Sequence, residues 1–389
     1  MKLCISLTHA AVLVITIAAL PLFSINATAQ IAVFSNDGKV VLYNGTVAVP
    51  ANPVDDTVTI IDLGVSPPKV IAEFKAPSSV VGPPQNVAVA PDESFALVAA
   101  TMKLDPADPT KQVPDNRLSV IDLKANPPAV IATLEAGLGP GPQSTPPARW
   151  LWSPIYREGT VSIFTISGKT LTAAGKIDFG DPKSGPAAIS FTPDGKTALV
   201  TRDGDHRISI LSIDGSTVTD TKRIMTGGHR PYAVQVSPKG DIAVIGNQGA
   251  NTGDVMPVNV VDLKGKAPRI VNTVDVGQYV EGLAFSNDGN YLAVIPQNGS
   301  TLAPTHPFYN VHGLLVVFSV NGTTLTKVAE VDIGQWPQGV AWSRDGKTLL
   351  AQSMVDNALA VLSFDGKSLK VTGQVKVTGG PDGVRTAGR

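Results

Sequence analysis

Cysteine is almost missing from this chain: of 389 residues, only Cys4 carries a thiol. A lone thiol forms no intrachain disulfide, so stability rests on packing. Excess charge of either sign is missing too, with 31 Lys and Arg against 32 Asp and Glu, a net charge of −1. That balance leaves no basic footprint for nucleic acid and no Lys/Arg cluster for an anionic membrane surface. Aromatic residues make up 5% and charged residues 16%. No H-E-x-x-H, clustered Cys/His set or G-x-S-x-G elbow occurs, and the GLGPGP run at 137–142 carries prolines where a dinucleotide fingerprint needs a helix start. No cofactor is expected. What is abundant is apolar material, 43% of the chain, together with 37 glycines and 31 prolines. Many turns between short apolar segments, with no long amphipathic helical period, point to an all-β fold.

Residues 1–29 differ in kind from the rest. Lys2 is their only charged side chain, an apolar run fills 10–23, and Ala27-Thr28-Ala29 has the small-x-small pattern of a cleavage site. The segment reads as a secretory signal peptide; the apolar run is short and holds Pro21, which argues against a stable membrane anchor. The expected product is a periplasmic or secreted protein with one domain over 30–389 and no cysteine.

The clearest repeat unit runs from Gln335 to Leu369. A proline-led lead-in (Trp336, Pro337, Gln338) feeds an alternating strand, Asp345-Gly346 supplies a tight hairpin turn, and two further strands follow before a second turn at Asp365-Gly366. Equivalent turns are expected at Asp37-Gly38, Asp92-Glu93, Asp194-Gly195, Lys239-Gly240 and Asp288-Gly289, with a degenerate one at Pro147-Ala148, at spacings of 45 to 57 residues. The third strand recurs seven times, as in VTIIDL from Val58, ISILSI from Ile208 and LAVLSF from Leu359. Four short strands cannot bury both faces alone, so seven abutting meanders predict a seven-bladed β-propeller of four-stranded antiparallel meanders. The N-terminal residues from Ala29 align with the first strand of blade one. Pro381-Asp382-Gly383-Val384 also has the look of a blade start, which leaves two candidates for one innermost strand.

The repeat resembles the YVTN-type propeller of bacterial exported and surface-layer proteins. Thr192-Pro193-Asp194-Gly195 with ALVTR, and Ser237-Pro238-Lys239-Gly240 with AVIGN, carry the resemblance best. The wider group includes lactonase-like propellers and the heavy chains of amine dehydrogenases, so the resemblance implies a fold more narrowly than a chemistry.

Within such a fold, uneven loops on one face point to a site. Long insertions are expected between the second and third strands at 44–56, 101–116, 247–257 and 297–313. The lead-ins of blades five to seven bring His229-Arg230, Gln278-Tyr279 and Gln335-Trp336, followed by Tyr232, Glu281 and Gln338, while the earlier blades offer few side-chain donors. Arg230 is a candidate to hold a carboxylate or polarised carbonyl, Tyr279 and Trp336 to form stacking walls, and Glu281 or His229 to act as general base on a lactone or ester. The blade-six insertion, with His306, Tyr309 and His312, is a candidate cover; its histidines would meet His229 around a metal only by folding inward, and no metal is expected. Arg202-Asp203-Gly204-Asp205-His206 starts like a calcium loop but lacks the later oxygen ligands, so it reads as a solvated hairpin. The leading expectation is a binding or scaffold protein that takes a small molecule or protein partner at the propeller face. A lactonase-like hydrolase and a subunit of a periplasmic dehydrogenase complex are the alternatives.

Overall fold

The computed structural model describes residues 30–82, 85–144 and 150–387. The leader read over 1–29 and the degenerate turn at Pro147-Ala148 lie outside the described residues. Seven four-stranded antiparallel sheets form the blades of a β-propeller, as the repeat predicts. Among the described residues, helical structure is confined to the 3₁₀ turn Pro182–Ser184.

Blade four shows the unit at its plainest, with strands Pro186–Phe191, Thr197–Arg202, Arg207–Asp214 and Thr217–Met225 running outward in order. The turn chemistry explains its first hairpin. Thr192 Oγ1 donates to Asp194 Oδ1 at 2.6 Å, the Lys196 N–H donates to the same oxygen at 3.0 Å, and Gly195 takes the left-handed φ of 68° that closes the turn. Ser286 with Asp288 and Ser343 with Asp345 repeat the device. The expected third strands all form, including Thr57–Asp62, Arg117–Asp122 and Ala358–Phe364.

Blade stacking supplies the core. Val244, Val258 and Val260 of blade five pack with Leu283, Val294 and Val316 of blade six, and comparable apolar layers lie between every other pair of neighbours. Each fully buried Val, Leu or Ile contributes roughly 1.5–3 kcal/mol, so the interfaces stand in for the absent disulfides.

Blade one departs from the expectation. Ile31–Asp37 is its second strand, not its first, and pairs on one side with Thr57–Asp62 and on the other with the C-terminal strand Gly380–Thr386. The innermost strand therefore comes from the other end of the chain, and Asp37-Gly38 ends a second strand rather than turning a first hairpin. A buried ionic cluster explains this placement. Asp382 accepts hydrogen bonds from Ser35 Oγ (2.5 Å) and Ser78 Oγ (2.6 Å), while Lys39 Nζ sits 3.1 Å from Asp37 and 3.0 Å from Asp56. Burial works against the Lys39 charge, but Asp37 and Asp56 outweigh it and hold its pKa above the usual lysine value. The segment after Gly38 forms an inserted hairpin, Val41–Tyr43 with Thr46–Ala48, in place of the expected second strand.

Candidate functional site

The lead-in loops and the second-to-third-strand insertions share one face and enclose a cavity of about 340 Å³ at the channel mouth. Arg230, Tyr232, Tyr279, Glu281, Trp336 and Gln338, six of the side chains singled out from sequence, line this one cavity. Their backbones are set by the blade geometry: Arg230, Tyr279 and Trp336 occupy the same position before the innermost strand and have φ of 57°, 55° and 54°. Blade four places Gly185 there, at φ 58°. Holding a non-glycine residue in this region costs about 1–2 kcal/mol, a cost the chain bears at three lead-ins that face one cavity.

Glu281 is the central group. It is only 7% exposed, and its Oε2 accepts hydrogen bonds from Gln248 Nε2 (3.0 Å) and Gln297 Nε2 (3.1 Å). Burial pushes its pKa up to about 8, against the opposing pull of the Gln248 hydrogen bond and the Arg230 charge. Near neutral pH it is thus largely protonated and exchanges its proton within the range useful for acid–base catalysis.

Arg230 is held from behind. Its Nε and Nη2 donate to the two Asp203 oxygens at 2.7 and 3.2 Å, and Nη1 reaches Gly249 O at 3.4 Å. A guanidinium has five N–H donors; Asp203 and Gly249 take three and the Tyr279 hydroxyl engages another, which leaves one for a ligand. Its charge centre lies 6.0 Å from the Tyr279 ring, and burial pushes the Tyr279 hydroxyl up to about 12. Asp203 also accepts from the Tyr156 hydroxyl. At 2% exposure Asp203 is an anchor for the site, which corrects the solvated-hairpin reading of Arg202 to His206.

Other expectations need correction. Trp336 is 6% exposed and packs with Val40 and Met354, so it braces the wall rather than offering a free stacking face. His229 is exposed and lies against His206, with ring centroids 4.4 Å apart, outside the cavity lining. Gln335 donates to Ser300 O at 3.0 Å and fixes the blade-six insertion. His306 accepts from the Phe308 N–H, and His312 is exposed; neither lines the cavity, nor does Tyr309. That insertion instead contributes Gln297 and Thr301. The cover comes from blade one, whose inserted hairpin lends Leu42, Gly45 and Val47 to the lining. Gly45 sits so close to the blade-six insertion that a Cβ there would lie 2.5 Å from Ala303 N, so the hairpin tip meets the opposite rim. No group of three or more His, Cys, Asp or Glu placed to hold a metal occurs among the described residues.

Sequence reasoning missed Asp203, Tyr156, Arg157, Gln248 and Gln297. Tyr156, Asp203, Gln248 and Gln297 share one signal, since each directly follows the second strand of its blade.

Comparison with known proteins agrees with this architecture. Residues 158–281 match the family described as lactonase, 7-bladed beta-propeller; the matched stretch holds Asp203, Arg230 and Tyr279 and ends on Glu281. The chain is similar in structure to the periplasmic gluconolactonase of Pseudomonas aeruginosa, at 17% identity and a TM-score of 0.65 over 92% of this chain and 99% of that one. A Bacteroides fragilis protein assigned as a 6-phosphogluconolactonase gives 16% identity and a TM-score of 0.70 over 93% and 99%. Hydrazine synthase of Kuenenia stuttgartiensis gives 17% and 0.59 over 81% and 95%. At such identities the likeness establishes the fold, a lactonase-like seven-bladed propeller. No curated protein matches by sequence.

Proposed function

We propose that the protein hydrolyses a small lactone or ester at the channel mouth, with Glu281 as general base and Arg230 as the electrophilic partner. The observation that carries this reading is the pairing of a buried carboxyl, its pKa about 8, with an anchored guanidinium on the wall of one cavity. In the ionised form Glu281 accepts a proton from water as the water oxygen bonds to the carbonyl carbon. The remaining Arg230 N–H meets the oxyanion. Collapse of the intermediate breaks the ring C–O bond, and the Glu281 proton passes to the departing alkoxide, which leaves a hydroxy acid and restores the carboxylate. The 340 Å³ volume fits a small-molecule ligand. An exported location belongs to the same proposal and rests on the sequence of residues 1–29; no helix among the described residues is long and apolar enough to cross a membrane.

A panel of γ- and δ-lactones followed by pH-stat tests the proposal. Opening of at least one lactone by wild type, lost in Glu281→Gln, supports it; a panel untouched by pure folded protein sinks it. Binding without chemistry is the second reading, favoured because Asp203 already engages Arg230. It predicts a ligand that stays intact and binds Glu281→Gln as well as wild type.

A further inference from the structure

The channel has a second chamber at its opposite end, of about 190 Å³, beneath the inter-strand turns that hold Pro193, Pro238 and Asn287. The mouth cavity mixes Arg157, Arg230 and Glu281, whereas no Asp or Glu lines this lower chamber. Arg385 is its sole charged side chain. It projects from the closing strand Gly380–Thr386, and the positions of equal rank on the other described innermost strands are Ala88, Ser190, Gln235, Ala284 and Ala341. Three alanines on that ring leave the room an arginine occupies.

Arg385 forms no ion pair among the described residues. Its one hydrogen bond runs from Nη1 to the carbonyl of its own neighbour Val384, at 2.9 Å. Burial lowers its pKa to about 10 with no carboxylate to offset it, so it stays charged at neutral pH. Half-buried in the channel and without a carboxylate partner among the described residues, this cation favours an anion in the chamber.

The neighbouring amides are turned the same way. Gln85 Oε1 accepts from the Ile189 N–H at 2.9 Å, and Gln235 Oε1 accepts from the Phe285 N–H at 2.7 Å. A backbone N–H only donates, which fixes the oxygen of Gln85 on blade four and that of Gln235 on blade six and leaves each Nε2 as the end without an acceptor among the described residues. Ser190 Oγ likewise accepts from the Val236 N–H at 2.9 Å, which frees its proton. One cation and three donors without acceptors therefore line one chamber that holds no acid.

We infer that this lower chamber binds a small organic carboxylate, bridged by Arg385, Gln85 and Gln235. The chamber is smaller than the roughly 300 Å³ at which drug-sized sites begin, so it suits an acid of a few carbons. Gln85 and Arg385 also border a cleft of about 30 Å³ that Glu281 and Asp382 line, but no hydrogen bond joins them to Glu281 or Arg230.

Calorimetric titration of the full chain with acetate, succinate and inorganic phosphate, at constant ionic strength, tests it. At least one carboxylate is expected to bind wild type and to bind Arg385→Gln at least about tenfold more weakly. Ala284→Leu keeps the arginine but fills its space and is expected to lose binding too. Without ligand, Arg385→Gln is expected to melt no lower than wild type, because it removes a half-buried charge with no carboxylate partner; this confirms folding in the variant. Absence of carboxylate binding to wild type, equal binding to Arg385→Gln, or binding of phosphate alone would each overturn the inference.

Discussion

Glu281 and Asp382 hold equivalent positions in blades six and one, each the second residue of its innermost strand's lead-in, and both are buried carboxyls with raised pKa values, about 8 and about 7. Their surroundings assign them opposite roles. Both oxygens of Asp382 are taken, by Ser35 and Ser78, and a further link through Lys39 joins the N-terminal strand to the C-terminal one. Glu281 has both its hydrogen bonds on Oε2 and borders the large mouth cavity. Saturation makes Asp382 a latch, and an oxygen left over suits Glu281 to the general-base role proposed for it. The residue type at a repeat position says little until its partners are counted.

The comparison is broken most severely by Glu281→Gln. Loss of a general base lowers hydrolysis by about 10²- to 10⁴-fold. Stability should move the other way with pH. Since folding raises the Glu281 pKa from 4.5 to about 8, its contribution is complete below the unfolded value and is lost as pH rises through 8. The variant should therefore match wild type in urea titrations at pH 5 and exceed it at pH 9; lower stability at pH 9 would refute the assignment.

Lys39→Met attacks the latch. It leaves Asp37 and Asp56 buried without their cation, and a cost of about 3–5 kcal/mol in chemical denaturation is expected. Lactone turnover by the fraction that remains folded should be retained.

Asp203→Ala sharpens the account of Arg230. Its guanidinium loses both anchoring oxygens, so kcat and kcat/KM should fall together by about tenfold, in keeping with the loss of one charged hydrogen-bond pair. Unchanged kinetics would mean that Arg230 is not used in the anchored position.

The smallest effects belong to His229→Ala and His312→Ala. Both side chains are exposed and outside the cavity, so stability should shift by no more than about 0.5 kcal/mol and turnover should not change.

The fold was legible because its signal is local and repeated: alternating strands and Asp-centred turns recur, and each unit needs neighbours to bury its faces. Legibility failed at blade one for a concrete reason. The pentapeptide FSNDG occurs twice, at 34–38 and at 285–289. In the second copy Gly289 takes φ 65° and turns a hairpin. In the first, Ser35, Asn36 and Asp37 are fully buried and the strand is sandwiched between two others. Only contact with Asp382, some 350 residues along the chain, separates the two outcomes.

The site was half legible in the same way. Lead-in residues stood out because seven copies could be compared, and the structure brings six of them to one cavity. Asp203, Gln248 and Gln297 each directly follow the second strand of blades four, five and six, a shared position, but the repeat does not state which lead-in residue each one meets. His306 and His312 misled because composition suggests chemistry while the loop's path, turned outward with only Gln297 and Thr301 at the cavity, decides access.

The central claim is that a buried Glu281 titrates in the service of catalysis, and the pH dependence of kcat/KM for lactone opening tests it most directly. After subtraction of the uncatalysed hydroxide reaction, the account predicts a rate that climbs about tenfold per pH unit up to about 8 and is level above it. A profile flat between about pH 6 and 9 would contradict it.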